Sequence, residues 1–199
     1  VERALCCDGC WEAFLLPLPS RCYNCRALTR EFAVCSSHKS QLRRVWVSTE
    51  YTGVAKQLLH RYKFERARSA CVPIAQHLAA TLPYMSRDTI VTCVPTDTRR
   101  MRARGYDHAG LVARELTREL RLPYQRLVTR VTHTRQVGAS RAMRLKQLQG
   151  AFLVVGSVPQ NVLVVDDVVT TGATLEAVAA VLRTAGARHV DAAVFTQKM

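Results

Sequence analysis

Thirteen residues near the carboxyl end, Val162-Leu-Val-Val-Asp-Asp-Val-Val-Thr-Thr-Gly-Ala-Thr174, constrain this chain more than any other stretch. An apolar run, two adjacent carboxylates and a hydroxyl-rich turn precede helical spacing, which predicts a strand over Val162–Val165, a tight loop, and a helix over Thr174–Ala185 ended by Gly186. Backbone N–H groups at a helix start, with the positive end of its dipole, bind a phosphate monoester. Thr170, Thr171 and Thr174 add hydroxyl donors and Gly172 permits close approach, so Val168, Val169, Thr170, Thr171, Gly172, Ala173 and Thr174 are the candidate phosphate-binding residues. Asp166 and Asp167 stand at the carboxyl end of the strand, where open α/β sheets hold ligands. Paired acceptors one step from a phosphate suit the vicinal hydroxyls of a ribose. Adjacent carboxylates at a sheet end also repel, which favours a functional reason for both.

Two other readings of the acidic pair fail on the sequence. A Walker B strand needs a P-loop, but Gly105 to Gly110 is followed by Leu111-Val112 where Lys and Ser or Thr are required. A receiver domain uses an acidic pair after its first strand, whereas only 32 residues follow Asp167.

Upstream, strands are predicted at Val45–Tyr51 and Thr89–Val94, helices at Val54–Phe64, Val72–Leu82 and Gly105–Leu120, and further strands at Ala151–Val155 and Val190–Phe195. After Pro123 an arginine-rich segment containing Gly138 reads as a mobile loop and short helix. Strands alternating with helices give an α/β fold with a mostly parallel sheet flanked by helices. Apolar runs are far shorter than a membrane span needs, so none is expected.

The chain carries 29 Lys and Arg against 15 Asp and Glu. Between Arg99 and Lys146, thirteen Lys and Arg face only Asp107, Glu115 and Glu119, a local charge of +10. A solvated helical face is the bland account; a phosphate-rich ligand or a nucleic acid explains such clustering better.

Six of the eight cysteines precede residue 36. Cys7-x2-Cys10, Cys22-x2-Cys25 and Cys35-x2-His38 have the knuckle spacing that brings two ligands onto one tetrahedral Zn²⁺. Either Cys22, Cys25, Cys35 and His38 form the site, or Cys7, Cys10, Cys22 and Cys25 do. Metal-type spacing in place of a disulfide pattern points to a reducing, cytoplasmic compartment, with Cys71 and Cys93 as reduced core thiols. The expected division is a zinc-ribbon-like module over residues 1–42, continuing upstream of Val1, and a main domain over residues 43–199.

The strand-loop-helix closely resembles the ribose-phosphate signature of type I phosphoribosyltransferases. The wider order of a cysteine-rich front, Tyr62-Lys63-Phe64, Val94-Pro95-Thr96, Arg104-Gly105-Tyr106-Asp107-His108-Ala109, Thr134-Arg135-Gln136, Arg141 and Gly150-Ala-Phe152 resembles the ComF family over nearly the whole chain. That resemblance implies a type I phosphoribosyltransferase core, phosphoribosyl pyrophosphate and Mg²⁺ at the acidic pair, and a glycosyltransferase reaction on an unknown acceptor. It also implies a structural Zn²⁺ and a front that often begins with one more cysteine pair. A link to DNA uptake in competence would bring single-stranded DNA and competence helicase or processing proteins as partners. Asp166 and Asp167 would then be catalytic. Lys63 and an Arg102-Ala-Arg104-Gly105 turn would meet the pyrophosphate, and Arg135, Gln136 and Arg141 would lie on the loop that closes over it. The competing function is a non-catalytic DNA-binding adaptor on the same fold. Tyr106 and His108, at the start of a helix, are as readily explained by packing.

Overall fold

The computed structural model describes Gly9 and residues 18–131 and 150–198. Strand β1 (Val45–Glu50) leads into helix α1 (Gly53–Phe64), a 3₁₀ turn (Arg68–Ala70) and α2 (Cys71–Thr81). There follow β2 (Thr89–Cys93), α3 (Thr98–Arg104), α4 (His108–Leu120), β3 (Val128–Arg130), β4 (Phe152–Val154), β5 (Asn161–Val169), α5 (Ala173–Thr184) and β6 (His189–Gln197). The main sheet is wholly parallel, in the order β1-β6-β5-β2.

Period-2 alternation along β5 and β6 divides the core into two layers. Leu163, Val165, Ala193 and Phe195 face α1, α2 and α4, where Leu59, Tyr62, Ile74, Leu78 and Leu116 are buried. Val162, Val164, Ala192 and Val194 face the other way, onto α5 through Leu175, Val178 and Leu182. Burial on both faces is why these strands read as continuous apolar runs.

Four local expectations change. Gly105 adopts a left-handed conformation (φ 79°) that ends α3, and Asp107 then caps α4 by accepting from the Gly110 N–H, so the helix expected from Gly105 starts three residues later, at His108, and is preceded by a separate helix, α3. Arg102 and Arg104 therefore sit on the last turn of a helix and not in a turn. The strand expected to stop at Val165 runs on through both aspartates to Val169, and its helix opens one residue early, at Ala173. The strand within Ala151–Val155 pairs antiparallel with β3 in a separate two-stranded sheet, where a loop and short helix were expected after Pro123. The Gly138 segment itself lies outside the described residues.

One contact fixes how α1 meets the α3–α4 corner. The fully buried Tyr62 donates 2.7 Å to the His108 carbonyl, while the Tyr106 hydroxyl donates to the Tyr62 carbonyl, with the two rings 5.5 Å apart. This crossed pair sets Lys63 and His108 on either side of one point. Tyr62→Phe leaves the His108 carbonyl without that donor, and urea unfolding should show a loss of about 1–2 kcal/mol; an unchanged midpoint would mean that the carbonyl is satisfied some other way.

Candidate functional site

The point that Lys63 and His108 flank is Asp167. Its side chain is buried, with Lys63 Nζ 2.9 Å from one oxygen and His108 Nε2 2.8 Å from the other. The second oxygen is fully covered and accepts no hydrogen bond of good geometry, so its charge is met by position alone. Burial works against ionisation here, but Lys63 and His108 outweigh it and hold the carboxyl far below the usual carboxylate range. His108 is pinned from behind. Arg104 Nη1 lies 3.0 Å from His108 Nδ1 and 3.2 Å from Nε2, and Thr96, whose hydroxyl donates to Asp107 at 2.7 Å, stands 3.5 Å from Nδ1.

Strand alternation separates the neighbouring carboxylate from this cluster. Asp166 is only partly buried and among the described residues it forms no ion pair; one of its oxygens accepts from the Asp167 N–H at 2.9 Å. Burial, with the Asp167 charge next to it, pushes its carboxyl up to about 7. Among the described residues the two aspartates are thus not a like pair: Asp167 is met by two cationic partners, and Asp166 by no ion pair.

Lys63 also lines a cleft of ≈ 510 Å³ with Tyr51, Phe64, Arg66, Arg100, Ala103 and Arg104, so that among the described residues four cations and no carboxylate form its wall. Arg100 and Arg104 share a face of α3 because they are one helical turn apart, whereas Arg102, two residues from each, is exposed and takes no part in the lining. Arg66 and Arg100 escaped the sequence reading. The signal for Arg100 is its i, i+4 spacing from Arg104, which matters only on a helix and not in a turn; Arg66, in a left-handed conformation after α1, gives none. Arg135, Gln136 and Arg141 lie outside the described residues.

The loop Thr170–Gly172 joins β5 to α5. Gly172 is the α5 N-cap at φ 72°, and a Cβ there would fall 2.2 Å from the Tyr23 ring. One close approach that this glycine permits is therefore that of Tyr23. N–H groups in the first turn of α5 still lack helical partners, as at any helix start.

Tyr23 belongs to the cysteine knuckle. Cys22, Cys25, Cys35 and His38 bring one ligand atom each to within 4.8 Å of one another, with Cys25 and Cys35 sulfurs 3.6 Å apart and Cys35 Sγ 3.1 Å from His38 Nδ1. Tetrahedral zinc with bonds of about 2.3 Å to sulfur separates two thiolates by about 3.7 Å, so this donor set fits such an ion. Burial alone would raise the Cys22 thiol, but backbone hydrogen bonds from Cys35, Cys25 and Asn24 bring it down to about 7, the direction a metal-binding thiolate needs. Of the two ligand sets left open by spacing, this one is assembled; Cys7 and Cys10 lie outside the described residues. Cys93 is a buried core thiol as expected, raised by burial to about 12, and Cys71 likewise to about 11.

The state of Asp166 is measurable. A carboxyl whose folded value lies above its unfolded value of about 4 holds its proton more tightly when folded, so its burial becomes destabilising as pH rises from 4 towards 7. Asp166→Asn should therefore stabilise the ligand-free protein more at pH 8 than at pH 5, by about 2 kcal/mol in urea titrations. An equal gain at both pH values would show that the group titrates normally.

Comparison with known proteins agrees with this geometry. The Phosphoribosyl transferase domain model matches residues 101–199. Competence protein F of Haemophilus influenzae is 27% identical over 201 residues, covering 93% of this chain and 87% of that protein. DNA utilization protein YhgH of Salmonella typhi is 30% identical over 152 residues, 72% of this chain and 67% of that protein. Among solved structures, the allosteric regulatory enzyme of purine biosynthesis matches 64% of this chain and 25% of its own at 22% identity and a TM-score of 0.46. A hypoxanthine phosphoribosyltransferase from Staphylococcus aureus matches 68% and 73% at 11% identity and a TM-score of 0.39. With its parallel sheet, adjacent aspartates in the last half of β5 and cysteine-histidine cluster, the chain belongs to the ComF-like family of type I phosphoribosyltransferases.

Proposed function

We propose that this protein is a phosphoribosyltransferase that binds phosphoribosyl pyrophosphate and transfers its phosphoribosyl group to an acceptor nucleophile in the cytoplasm. One observation carries the reading: the β5 strand that holds Asp166 and Asp167 runs directly into the start of α5, and Asp167 is bound to Lys63, which lines a cleft whose described charged side chains are all cations. Vicinal ribose hydroxyls donating to Asp166 supply the partners it lacks. The 5-phosphate takes the N–H groups and hydroxyls of Thr170–Thr174, and the pyrophosphate lies in the cleft against Arg66, Arg100 and Arg104, whose guanidinium forks suit phosphate oxygens. Lys63 is held to Asp167 and contributes its charge from the cleft wall.

In the reaction the bond from the anomeric carbon to pyrophosphate breaks with its electron pair going to pyrophosphate, and the acceptor's lone pair forms the new bond. Positive charge develops on the ribose ring, where the carboxylate of Asp166 stabilises it electrostatically, while Asp167 holds Lys63 at the cleft wall. The cleft cations stabilise the departing anion. The carboxylate oxygens of Asp166 are hard donors suited to Mg²⁺, which when bound supplies Lewis-acid charge to the pyrophosphate. Residues 1–42, with structural Zn²⁺ on Cys22, Cys25, Cys35 and His38, form the accessory module and residues 43–199 the catalytic domain.

Calorimetric titration of zinc-replete protein with phosphoribosyl pyrophosphate and Mg²⁺ should show binding, with Asp166→Ala weakening it at least a hundredfold while the chain stays folded. Wild-type affinity in that variant would sink the site assignment. Pyrophosphate release over a panel of bases and amines then names the acceptor class.

A second reading, a single-stranded DNA adaptor, is favoured by Phe64. This ring is 66% exposed at the cleft mouth with Arg104 5.5 Å from its centroid, and an exposed aromatic beside cations is what base stacking and backbone tracking require. It also fits the names of the competence and DNA utilization relatives. Affinity for an oligonucleotide should then fall steeply with salt, and Phe64→Ala should weaken it about tenfold; a flat salt response would exclude the cationic cleft as the contact.

A further inference from the structure

The cysteine cluster and the Thr170–Thr174 loop share side chains. Tyr23 lies between two ligand cysteines, and its ring covers Gly172 so closely that no side chain fits between them. Its hydroxyl donates to Glu176 in the first turn of α5, and its carbonyl accepts from the Gln197 side chain at 2.6 Å, at the end of β6. Two residues past the last ligand, His38, the chain returns to the same carboxylate: the Ser40 hydroxyl donates to one oxygen of Glu176 and the Gln41 N–H to the other at 2.9 Å. Both ends of the segment that the cluster closes, 22–38, therefore grip one carboxylate at the start of the helix that forms the phosphate loop.

We propose that metal occupancy of Cys22, Cys25, Cys35 and His38 and the order of the phosphate loop are linked through Tyr23 and Glu176, which act as positioning residues for the sugar-phosphate site. Closing the cluster fixes the span between Tyr23 and Ser40. With that span fixed, four donor and packing contacts converge on the first turn of α5 and hold Gly172 in its left-handed conformation. Opening the cluster frees the two ends to move independently. Glu176 then loses donors that act only when presented together, and the loop gains conformations that any ligand must remove on binding. Such a cost is a coupling free energy, and it is reciprocal: a ligand that orders the loop also tightens the metal. Coupling of this kind commonly amounts to about 5–150-fold. The ligand rests on the function proposed above; the linkage itself is a property of the free protein.

Hydrogen exchange of the full chain decides it without any ligand. Removal of zinc with a chelator should accelerate exchange in a peptide spanning residues 170–176 about tenfold, while the strand and helices within Thr89–Leu120 keep their protection. In zinc-loaded Glu176→Ala that peptide should already exchange fast, with little further change on chelation. Tyr23→Phe, which keeps the ring and loses the hydroxyl, should fall between. Three results overturn the proposal: equal exchange of 170–176 with and without zinc, a full zinc effect retained in Glu176→Ala, or loss of protection throughout the chain, since the metal then supports the whole fold and not this loop. A calorimetric blank with phosphoribosyl pyrophosphate on the same zinc-loaded sample would overturn the ligand assigned above, and leaves the exchange data as sole judge of the linkage.

Discussion

Burial of one ionised carboxylate, Asp167, organises the structure around it. A charge in a sheet interior demands partners, and removing one of them would leave the rest exposed to the full penalty of desolvation. Lys63 arrives from the last turn of α1 and His108 from the first turn of α4, so the two helices are registered against β5 through a charge that cannot be left alone. The crossed Tyr62 and Tyr106 hydrogen bonds set the same register from backbone carbonyls. Gly105 and Asp107 make the corner possible, one by ending α3 in a conformation that disfavours side chains, the other by capping α4 so that His108 is its first residue.

This arrangement explains why adjacent aspartates need not behave alike. On a strand they point to opposite faces, and here the opposite faces differ in cation supply. Asp167 is a structural anion whose charge is already met. Asp166 keeps a free demand for donors or a cation, visible as a carboxyl raised to about 7. Stability is thereby given up at the position that ligand chemistry needs, the usual pattern where local rules are broken at functional sites.

The legible parts of the fold were those that depend on nearest neighbours in sequence. Apolar runs marked β1, β2, β5 and β6, Pro and Gly marked their ends, and knuckle spacing marked Cys22, Cys25, Cys35 and His38. The illegible parts depend on what a residue meets in space. The helix expected from Gly105 starts only at His108 because Gly105 has a positive φ and Asp107 is the cap, and α3 before it buries no residue, so no apolar period announces it. β3 is three residues long and obtains its partner from β4 more than twenty residues later, so no local pattern announces it. His108 looked like a packed histidine because its partner, Asp167, lies 59 positions away. Arg66 and Arg100 became visible only when α1 and α3 were placed side by side around the cleft.

Gly172 shows how one residue type can satisfy a motif for a reason the motif does not state. A glycine in a phosphate loop invites the reading that a ligand comes close to the backbone. Here the occupant of that space is the chain's own Tyr23, and the left-handed φ adds an independent demand for glycine. The loop is thus shaped from behind by the cysteine module and offers its N–H groups and threonine hydroxyls on the side that remains. An aromatic ring seated there does two things at once. It removes alternative loop conformations by occupying their volume, and it delivers a hydroxyl to Glu176, the acidic residue in the first turn of α5. A carboxylate at a helix start ordinarily competes with a bound anion for the same dipole. With its oxygens engaged by Tyr23, Ser40 and Gln41, Glu176 is held by neutral donors to the module, which lessens its competition for the helix dipole with an anion at the threonine-rich loop ahead of it.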